Sequence, residues 1–484
     1  AMALDDLAVF PAAKAEELLG AIILRETSAE ERTLQLSVRK WAEQHLAPVA
    51  AEYWERGAFP HELLPSFQHL GISGGAVHPF RGVSRPLSRM SLALATVELS
   101  RVDASFATFY LVHCGLAMES IKLCGSLEQQ HRLLPRLAHL DAVGAFGLTE
   151  PDFGSDATSL QTLAHPCPGG FKLTGAKRWI GNATFADVIV VWARHARTGR
   201  IQGFLLERNR VPGQLGHGQA PEFTRVPGLT IRNMEGKASL RITQNATIEL
   251  DEVFVPDHNV MPVPADFRRQ TGLAAVLEES RVLVAWLPVG VVMGVFDLAL
   301  RYLLQRRQFG APLASFALNQ EKLIRILGAA GSMWTFAERL TRAKQDQGEV
   351  GAQPHRSPRE LGMPQVTLAK AWNTRLGREA VALGRELLGG NGILLPFGVA
   401  KAFADAEALY TYEGTFDINS LVTGRAATGF PAFRPPATGT AADTSVGAQA
   451  ASQLRASSKT KEPRAATQGA VSGKLAASQS RSRL

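Results

Sequence analysis

The chain has 484 residues, of which 45% are hydrophobic and 20% are charged, a composition that predicts a globular protein with a sizeable core. The formal net charge of +8 is concentrated in residues 434–484, which hold eight Lys or Arg and two acidic residues, a net +6. The other 433 residues carry only +2, which argues against a nucleic-acid partner for the folded part.

The cysteines argue against a disulfide-bonded or zinc-binding protein, and the N-terminal segment argues against a secretory signal or a transit peptide. Cys114, Cys124 and Cys167 form no CxxC pair and have no metal-ligand spacing, so we expect free thiols, a reducing compartment and no metal site. The N-terminal segment lacks the apolar core of a secretory signal, and its acidic residues are ones that transit peptides avoid. Those acidic residues are Asp5, Asp6, Glu16, Glu17 and Glu26.

The first quarter of the chain has the 3.6-residue apolar period of helices. Ser28 with Glu31 three residues later is a capping box, which predicts a helix start. Further helical patterns cover residues 61–71, 88–99, 104–124 and 126–139. We predict a helical N-terminal domain over residues 1–145.

The apolar period then changes to two, as in β-strands. The predicted strands are short, contain β-branched or aromatic residues and are separated by Gly, Pro and Asn. They cover residues 171–181, 186–194, 201–208 and 246–256. Because no βαβ spacing lies between them, we predict an antiparallel, barrel-like β middle domain over residues 146–265.

Long helical patterns return in the last third of the folded part. They cover residues 271–307, 318–346, 362–388 and 398–409, lengths that suit an antiparallel four-helix bundle over residues 266–433. The uncharged stretch 282–296 has only 15 residues and contains Pro288, whereas a membrane span needs about 18 or more. We therefore predict a buried bundle helix and no membrane partner.

Residues 434–484 differ in composition from the rest of the chain. They are rich in Ala, Ser, Thr, Gly and Gln and have too few large apolar residues to offset the entropy of ordering, which predicts a disordered tail. The tail ends in Ser482, Arg483 and Leu484, which matches the S-K-L type of peroxisomal address with Arg in place of Lys. A peroxisomal location and an import receptor as partner are the corresponding expectations.

Two segments carry residues suited to chemistry. In "YTYEGTFDINSLVTGR", residues 410–425, the carboxylate of Glu413 lies between Tyr412 and Gly414, with no cationic residue within eight positions. It is either a solvated turn residue or a base held over a substrate. In "FGLTEPDFGSD", residues 146–156, Gly154 permits close backbone approach. The following "AKRWIGN" supplies a Trp that suits one wall of a flat aromatic ligand.

Five motifs stand in the order and spacing of the acyl-CoA dehydrogenase and oxidase superfamily, which residues 25–430 of the chain resemble. They are "LTEPDFGSD", "RWIGN", "RRQFGAPLASFALNQ", "LLGGNGI" and "YEGTFDINSLVTGR". The resemblance implies a helical domain, a β domain and a four-helix bundle, which agrees with the periodicity. It also implies FAD as cofactor, an acyl-CoA substrate and a dimer or tetramer.

The resemblance assigns cofactor contacts by motif position. It implies flavin contacts at the first two motifs, with Ser155 also meeting the CoA chain, and further FAD contacts supplied by a neighbouring subunit. Thr415 and Asp417 resemble contacts on the adenosine side. The implied cofactor residues are Phe146, Leu148, Thr149, Ser155, Trp179, Gly181, Arg306, Gln320, Gly389, Gly390, Thr415 and Asp417.

Glu413 matches the position of the catalytic base in this superfamily. The α-proton of an acyl thioester is weakly acidic, so its removal requires a positioned base in a dry site. A carboxylate without a cationic partner near apolar walls is expected to have a raised pKa. The resemblance further implies substrate contacts at Ser155, Arg281 and Gly414.

The choice of substrate and acceptor rests on branch-level likeness. "SRVDASFATF" resembles the glutaryl-CoA dehydrogenase branch, but Ala107 stands where that branch has an Arg for the distal carboxylate, which disfavours a dicarboxylic substrate. The motifs and the terminal "SRL" resemble plant peroxisomal short-chain acyl-CoA oxidases more closely, which implies dioxygen as acceptor. Gly181 stands where many dehydrogenases have Thr, and we hypothesise that it leaves room for oxygen.

Alternatives remain open at this stage. A dehydrogenase of the same fold would pass its electrons to an electron-transfer flavoprotein. A flavin-free or nucleic-acid-binding relative would use the basic tail, although Glu413, Arg281 and Arg306 argue against it. The bulky residues Phe106, Phe109, Tyr110 and Trp286 either shorten the acyl channel or are ordinary packing aromatics.

Overall fold

The computed structural model describes residues 10–74, 87–211, 219–263, 265, 272–349 and 361–430. The predicted tail 434–484 and its import signal lie outside the described residues, so both stay predictions.

The N-terminal domain is helical, as the periodicity predicts. The predicted capping box is present, because Ser28 Oγ accepts from the Glu31 N–H at 3.2 Å and Glu31 accepts from the Ser28 N–H at 3.0 Å. The helices are α1 (Lys14–Ile23), α2 (Ala29–Trp41), α3 (Ala47–Arg56), α4 (Leu64–Gln68), α5 (Arg89–Val102), α6 (Ala104–Tyr110), α7 (Glu119–Cys124) and α8 (Leu127–Ala138). π-Helical segments, Ala42–Leu46 and Leu111–Met118, join α2 to α3 and α6 to α7.

The middle domain is a seven-stranded sheet in the order β1-β4-β2-β3-β7-β6, with β5 on β4. Its strands are β1 (Gly144–Gly147), β2 (Leu163–Cys167), β3 (Gly170–Gly181), β4 (Val188–His195), β5 (Ile201–Glu207), β6 (Leu229–Asn233) and β7 (Asn245–Pro256). The four predicted strands pair antiparallel, β3 with β7 and β4 with β5. The antiparallel pairing of these four strands is as predicted, and the structure adds two parallel pairings that were not predicted, those of β1 and β2 with β4. These two strands have only four and five residues, too few to show a period of two.

The C-terminal domain contains α9 (Leu273–Val284), α10 (Leu287–Gln305), α11 (Ala317–Glu349), α12 (Met363–Leu387), α13 (Val399–Thr411) and α14 (Phe416–Thr428). Helices α10 to α13 pack against one another as a bundle. A small hairpin, β8 (Arg307–Gln308) and β9 (Ala311–Pro312), joins α10 to α11. The single helix predicted over 271–307 is broken into α9 and α10. Pro288 is the second residue of α10, and a proline is tolerated in the first turn of a helix but not in its interior.

The apolar region of α9 and α10 is a core element. Residues 273–305 are long and apolar enough to cross a membrane, but 94% of the most apolar window is buried within the protein. The predicted buried helix is therefore confirmed. Two glycines let α10 approach α5 closely: a Cβ at Gly290 would lie 2.1 Å from Ser100 Oγ, and one at Gly294 would lie 2.1 Å from the Arg101 carbonyl oxygen.

Asp405, on α13, links the three domains. Its carboxylate accepts from Trp54 Nε1 of α3 at 2.8 Å and from the Leu240 N–H of the middle domain at 2.6 Å. Lys401, one turn earlier on α13, pairs with Asp405 at 3.5 Å and with Asp103 between α5 and α6 at 2.5 Å. Asp405, Lys401, Asp103 and Leu240 are buried and Trp54 is partly buried, so most of these polar groups are desolvated together.

The aromatic residues considered for the acyl channel are packing residues in this structure. Phe106 and Phe109 are fully buried and contact each other, with ring centroids 5.4 Å apart, and both also contact Phe59. Trp286 packs edge-on against Trp334 at 5.2 Å. Tyr110 donates its hydroxyl to the Ile72 carbonyl. Their burial favours the packing alternative.

Candidate active site

The turn after α13 holds Glu413 in an unusual backbone conformation. Glu413 has φ +56° and Gly414 has φ +84°, both in the left-handed region. A side chain in that region costs about 1–2 kcal/mol, so the neighbouring groups must hold the turn. Thr415 accepts from the Ile418 N–H at 3.2 Å and thereby caps α14, and Asp417 is exposed in its first turn.

The Glu413 carboxylate is partly buried beside α9. Ser280 donates its hydroxyl to Glu413 Oε2 at 3.0 Å, whereas Arg281 Nε donates to the backbone carbonyl of Glu413 at 2.9 Å. Burial raises the pKa of Glu413, although Arg281, the Ser280 hydrogen bond and Lys370 oppose this shift. The carboxylate therefore retains more basicity than a solvated Glu, which favours the base over the turn residue.

Glu413 has no cationic residue near it in the sequence, but two cationic side chains lie near it in the folded protein. Arg281 and Lys370 both lie close enough to act electrostatically on Glu413. Lys370 Nζ donates to the carbonyls of Tyr410 at 3.1 Å and Gly414 at 2.8 Å. The expectation that Glu413 lacks cationic neighbours is thus wrong, and burial alone produces the raised pKa. The Glu413 N–H donates to no acceptor within the described ranges.

The two middle-domain motifs lie together at the end of β1 and on β3. Phe146 and Leu148 are buried, and the Thr149 carbonyl accepts from the Arg178 N–H at 2.8 Å, which joins the two segments. Trp179 has φ +66° and a side chain that is 53% exposed. Its carbonyl is held by Asn245 Nδ2 at 3.1 Å. An exposed aromatic ring on a fixed backbone fits one wall of a flat ligand.

A buried ion pair supports this segment, and the sequence analysis missed it. Lys177 Nζ donates to the Leu148 carbonyl at 3.1 Å and to Glu150 at 2.8 Å. Glu150 also accepts from the backbone N–H groups of Gln161 and Thr162. Burial lowers the pKa of Lys177 to about 8, while Lys177 and the backbone donors outweigh burial and lower the pKa of Glu150.

Gly181 lies at the end of β3, against the π-helical segment. A Cβ at this position would lie 3.2 Å from Val112 Cγ2 and 3.6 Å from Thr243 Cγ2. On the side where a Cβ would point, the space is therefore taken by Val112. The hypothesis that Gly181 leaves room for oxygen must therefore take the Val112 side chain into account, because that side chain borders the space.

The remaining predicted cofactor residues are exposed and do not contact the middle-domain motifs by hydrogen bonds in the described part of the chain. Arg306 ends α10, and Gln320 Nε2 donates to the Ala314 carbonyl at 2.9 Å. Gly389 and Gly390 have nothing within 4 Å of a Cβ, and Ser155 is exposed in the loop after β1. Exposed apolar side chains lie in the same segments of the bundle: Leu304, Phe309, Leu318, Ile393 and Leu394.

Three family models match consecutive parts of the chain. The N-terminal domain of acyl-CoA dehydrogenase matches residues 28–141, the middle domain residues 145–253 and the C-terminal domain residues 272–428. A glutaryl-CoA dehydrogenase structure from Mycobacterium smegmatis is 31% identical, with a TM-score of 0.75 over 87% of this chain and 99% of its own. The chain belongs to the acyl-CoA dehydrogenase superfamily.

Other members of the superfamily extend this finding. A glutaryl-CoA dehydrogenase from Mycobacterium smegmatis in complex with FADH2 is 32% identical, with a TM-score of 0.73 over 85% of this chain and 98% of its own. A mitochondrial 2-methylacyl-CoA dehydrogenase from Solanum tuberosum is 26% identical over 403 residues, 82% of this chain and 90% of that protein. FAD is the cofactor of the superfamily, and the exposed Trp179 ring, next to the residue whose N–H bonds to the Thr149 carbonyl, fits its flat ring system.

Proposed function

We propose that this acyl-CoA dehydrogenase superfamily member oxidises short-chain acyl-CoA to trans-2-enoyl-CoA and passes the electrons to dioxygen, giving hydrogen peroxide. The observation that carries the proposal is the Glu413 carboxylate, which burial makes more basic and a Ser280 hydrogen bond orients. Such a group suits removal of a weakly acidic proton next to a thioester carbonyl.

The turn supplies two groups to the substrate from one residue. The Glu413 carboxylate takes the α-proton, and the Glu413 N–H, which has no acceptor among the described residues, donates to the thioester oxygen, where negative charge develops. Arg281 keeps the Glu413 carbonyl engaged at 2.9 Å, so this peptide group stays fixed. FAD supplies the acceptor for the β-hydride, and Phe146, Leu148, Thr149 and Trp179 are the residues that would hold its ring system.

The short-chain preference and the oxygen acceptor are supported by motif likeness to plant peroxisomal short-chain oxidases. The same likeness supports a peroxisomal location through residues 482–484, and a dimer or tetramer in which Arg306, Gln320, Gly389 and Gly390 reach the cofactor of a neighbouring subunit. A dehydrogenase that uses an electron-transfer flavoprotein is the second candidate, because the similar proteins reported above are named dehydrogenases.

One assay separates the two candidates. The purified holoenzyme is mixed with butyryl-CoA or hexanoyl-CoA in air, and flavin absorbance, oxygen uptake and peroxide are followed. We expect flavin bleaching with one peroxide formed per enoyl-CoA. Bleaching that reverses only with an electron-transfer flavoprotein would contradict the oxidase proposal, and a protein without flavin absorbance would contradict both candidates.

The contact between Gly181 and Val112 gives a test of oxygen access. Gly181→Thr is expected to push against Val112 and to reduce the rate of flavin reoxidation by oxygen by about tenfold, because a tenfold change needs only about 1.4 kcal/mol. Stopped-flow mixing of the reduced enzyme with oxygen measures this rate. The double variant Gly181→Thr with Val112→Ala is the control for strain, because the smaller alanine side chain leaves room for the new threonine. If both variants reoxidise at the wild-type rate, position 181 does not control oxygen access.

A further inference from the structure

Lys370 is a buried cation that the mechanism above does not use. It lies on α12, is fully buried, and has its ammonium against the turn between α13 and α14. Its Nζ donates to the carbonyls of Tyr410 at 3.1 Å and Gly414 at 2.8 Å, on either side of Glu413. A lysine is rarely buried unless its donors have partners, so these carbonyls are the reason for its position.

Two further side chains hold the same turn. Arg281 of α9 donates to the Glu413 carbonyl at 2.9 Å, and Asn419 of α14 donates to the Gly414 carbonyl at 2.7 Å. We call Arg281, Lys370 and Asn419 the turn clamp. Its donors come from three different helices, so the turn is fixed relative to the bundle rather than only to its own ends.

The clamp is needed because the turn is strained. A non-glycine residue at φ +56° relaxes towards negative φ unless its neighbours prevent it. Rotation at Glu413 would swing the carboxylate away from Ser280 and would turn the N–H away from the substrate oxygen. Of the three clamp members, Lys370 alone bonds to carbonyls on both sides of Glu413.

We propose that Lys370 is a positioning residue of this site, which holds the turn 410–414 so that the carboxylate and the N–H of Glu413 face the substrate together. This inference rests on the proposed function, in which Glu413 is the base. The charged groups that face Lys370 are Glu413 and Arg281, and burial lowers its pKa to about 7. Lys370 in turn opposes the burial that raises the pKa of Glu413.

The test compares Lys370→Met with the wild-type holoenzyme. We expect flavin bleaching by butyryl-CoA to slow by about 10- to 100-fold, because small misplacement of a catalytic group has effects of this size. The substrate concentration at half-saturation is expected to change less than twofold. The lower limb of the pH–rate profile should move to higher pH, because a cation that stabilises the ionised Glu413 is removed.

Two variants distinguish positioning from a general loss of stability. Lys370→Arg keeps the charge and donors and should recover part of the rate. Lys401→Met removes another buried lysine, one that pairs with Asp103 and lies outside the turn. It should lower the melting temperature but leave the pH limb in place. If Lys370→Met keeps the wild-type rate and pH limb, or behaves like Lys401→Met, the proposal is wrong.

Hydrogen exchange decides the proposal without substrate. Lys370→Met should speed exchange in peptides covering residues 410–415, and leave peptides from the middle domain unchanged. Unchanged exchange in the turn would overturn the positioning role. A wild-type enzyme that does not bleach with any acyl-CoA would instead overturn the proposed function, so the two failures are distinct.

Discussion

Glu413→Gln is expected to slow flavin bleaching by acyl-CoA by about 10²- to 10⁴-fold, the contribution typical of a positioned general base. Glutamine keeps the size of the side chain and can still accept from Ser280, but it cannot take the α-proton. Anaerobic stopped-flow absorbance with butyryl-CoA measures the rate, and the FAD content of the variant is measured in parallel. A near-normal rate of bleaching would show that Glu413 is not the base.

The same variant is expected to be at least as stable as the wild type at neutral pH. The pKa of Glu413 is raised in the folded state above its usual 4.5, so the folded protein binds more protons than the unfolded chain between these two values. The free energy of unfolding therefore falls as pH rises through this window, and glutamine removes that loss. Thermal unfolding at pH 5 and pH 8 measures it. A variant that is less stable than the wild type at pH 8 would contradict this account.

In the proposed function, the ionised form of Glu413 is the active one. The bleaching rate should thus fall as pH falls through the raised pKa of this carboxyl, at a higher pH than for an ordinary glutamate. Glu413→Asp is the matched control, because it keeps an ionisable group and should keep a pH-dependent, slower rate.

Lys177→Met is expected to lower the free energy of unfolding by about 3–5 kcal/mol, because it leaves the Glu150 carboxylate buried without its cation. The Leu148 carbonyl also loses its donor, next to the segment assigned to the flavin, so FAD retention should fall as well. Urea unfolding and the ratio of flavin to protein absorbance measure the two effects.

Two further variants test the cause. Lys177→Met with Glu150→Gln removes the unpaired charge and keeps one acceptor oxygen, enough for either the Gln161 or the Thr162 N–H, and should recover part of the stability. Lys172 lies on β3, like Lys177, but forms an exposed pair with Glu252 of β7. Lys172→Met should change stability little, because solvent screens exposed pairs. If the Lys177 and Lys172 variants behave alike, the buried pair has no special role.

The parts of the fold that the sequence predicts are those with local patterns. The capping box at Ser28 and the long helices of the bundle follow from residues that lie within a few positions of one another. The parallel pairing of β1 with β4 was not predictable, because the partners lie about 44 positions apart and β1 is only four residues long. Helix α14 was missed because its first residue, Phe416, and the capping Thr415 fall inside a motif that was interpreted only for its chemistry.

The candidate site divides in the same way. Glu413 was found from its motif, whereas Lys370 and Lys177 were missed because their partners, backbone carbonyls and for Lys177 also the Glu150 carboxylate, lie 27 to 44 positions away. A backbone carbonyl has no sequence signature. The available signal was a lysine among uncharged residues of a helix, as at Lys370 near Val366, Ala369 and Thr374. The contacts of Arg306 and Gly389 with the cofactor stay predictions, because the resemblance places them across an interface between subunits.

The three-domain link at Asp405 also affects how this protein is made. Asp405, the acceptor of the Trp54 hydrogen bond, is synthesised 351 residues after Trp54. This takes roughly 20–70 s at about 5–20 residues per second on the ribosome. The Leu240 N–H also bonds to this carboxylate, which is synthesised after it. Until α13 has emerged, the Trp54 and Leu240 N–H groups therefore lack the acceptor that they have in the folded protein and bond to solvent instead.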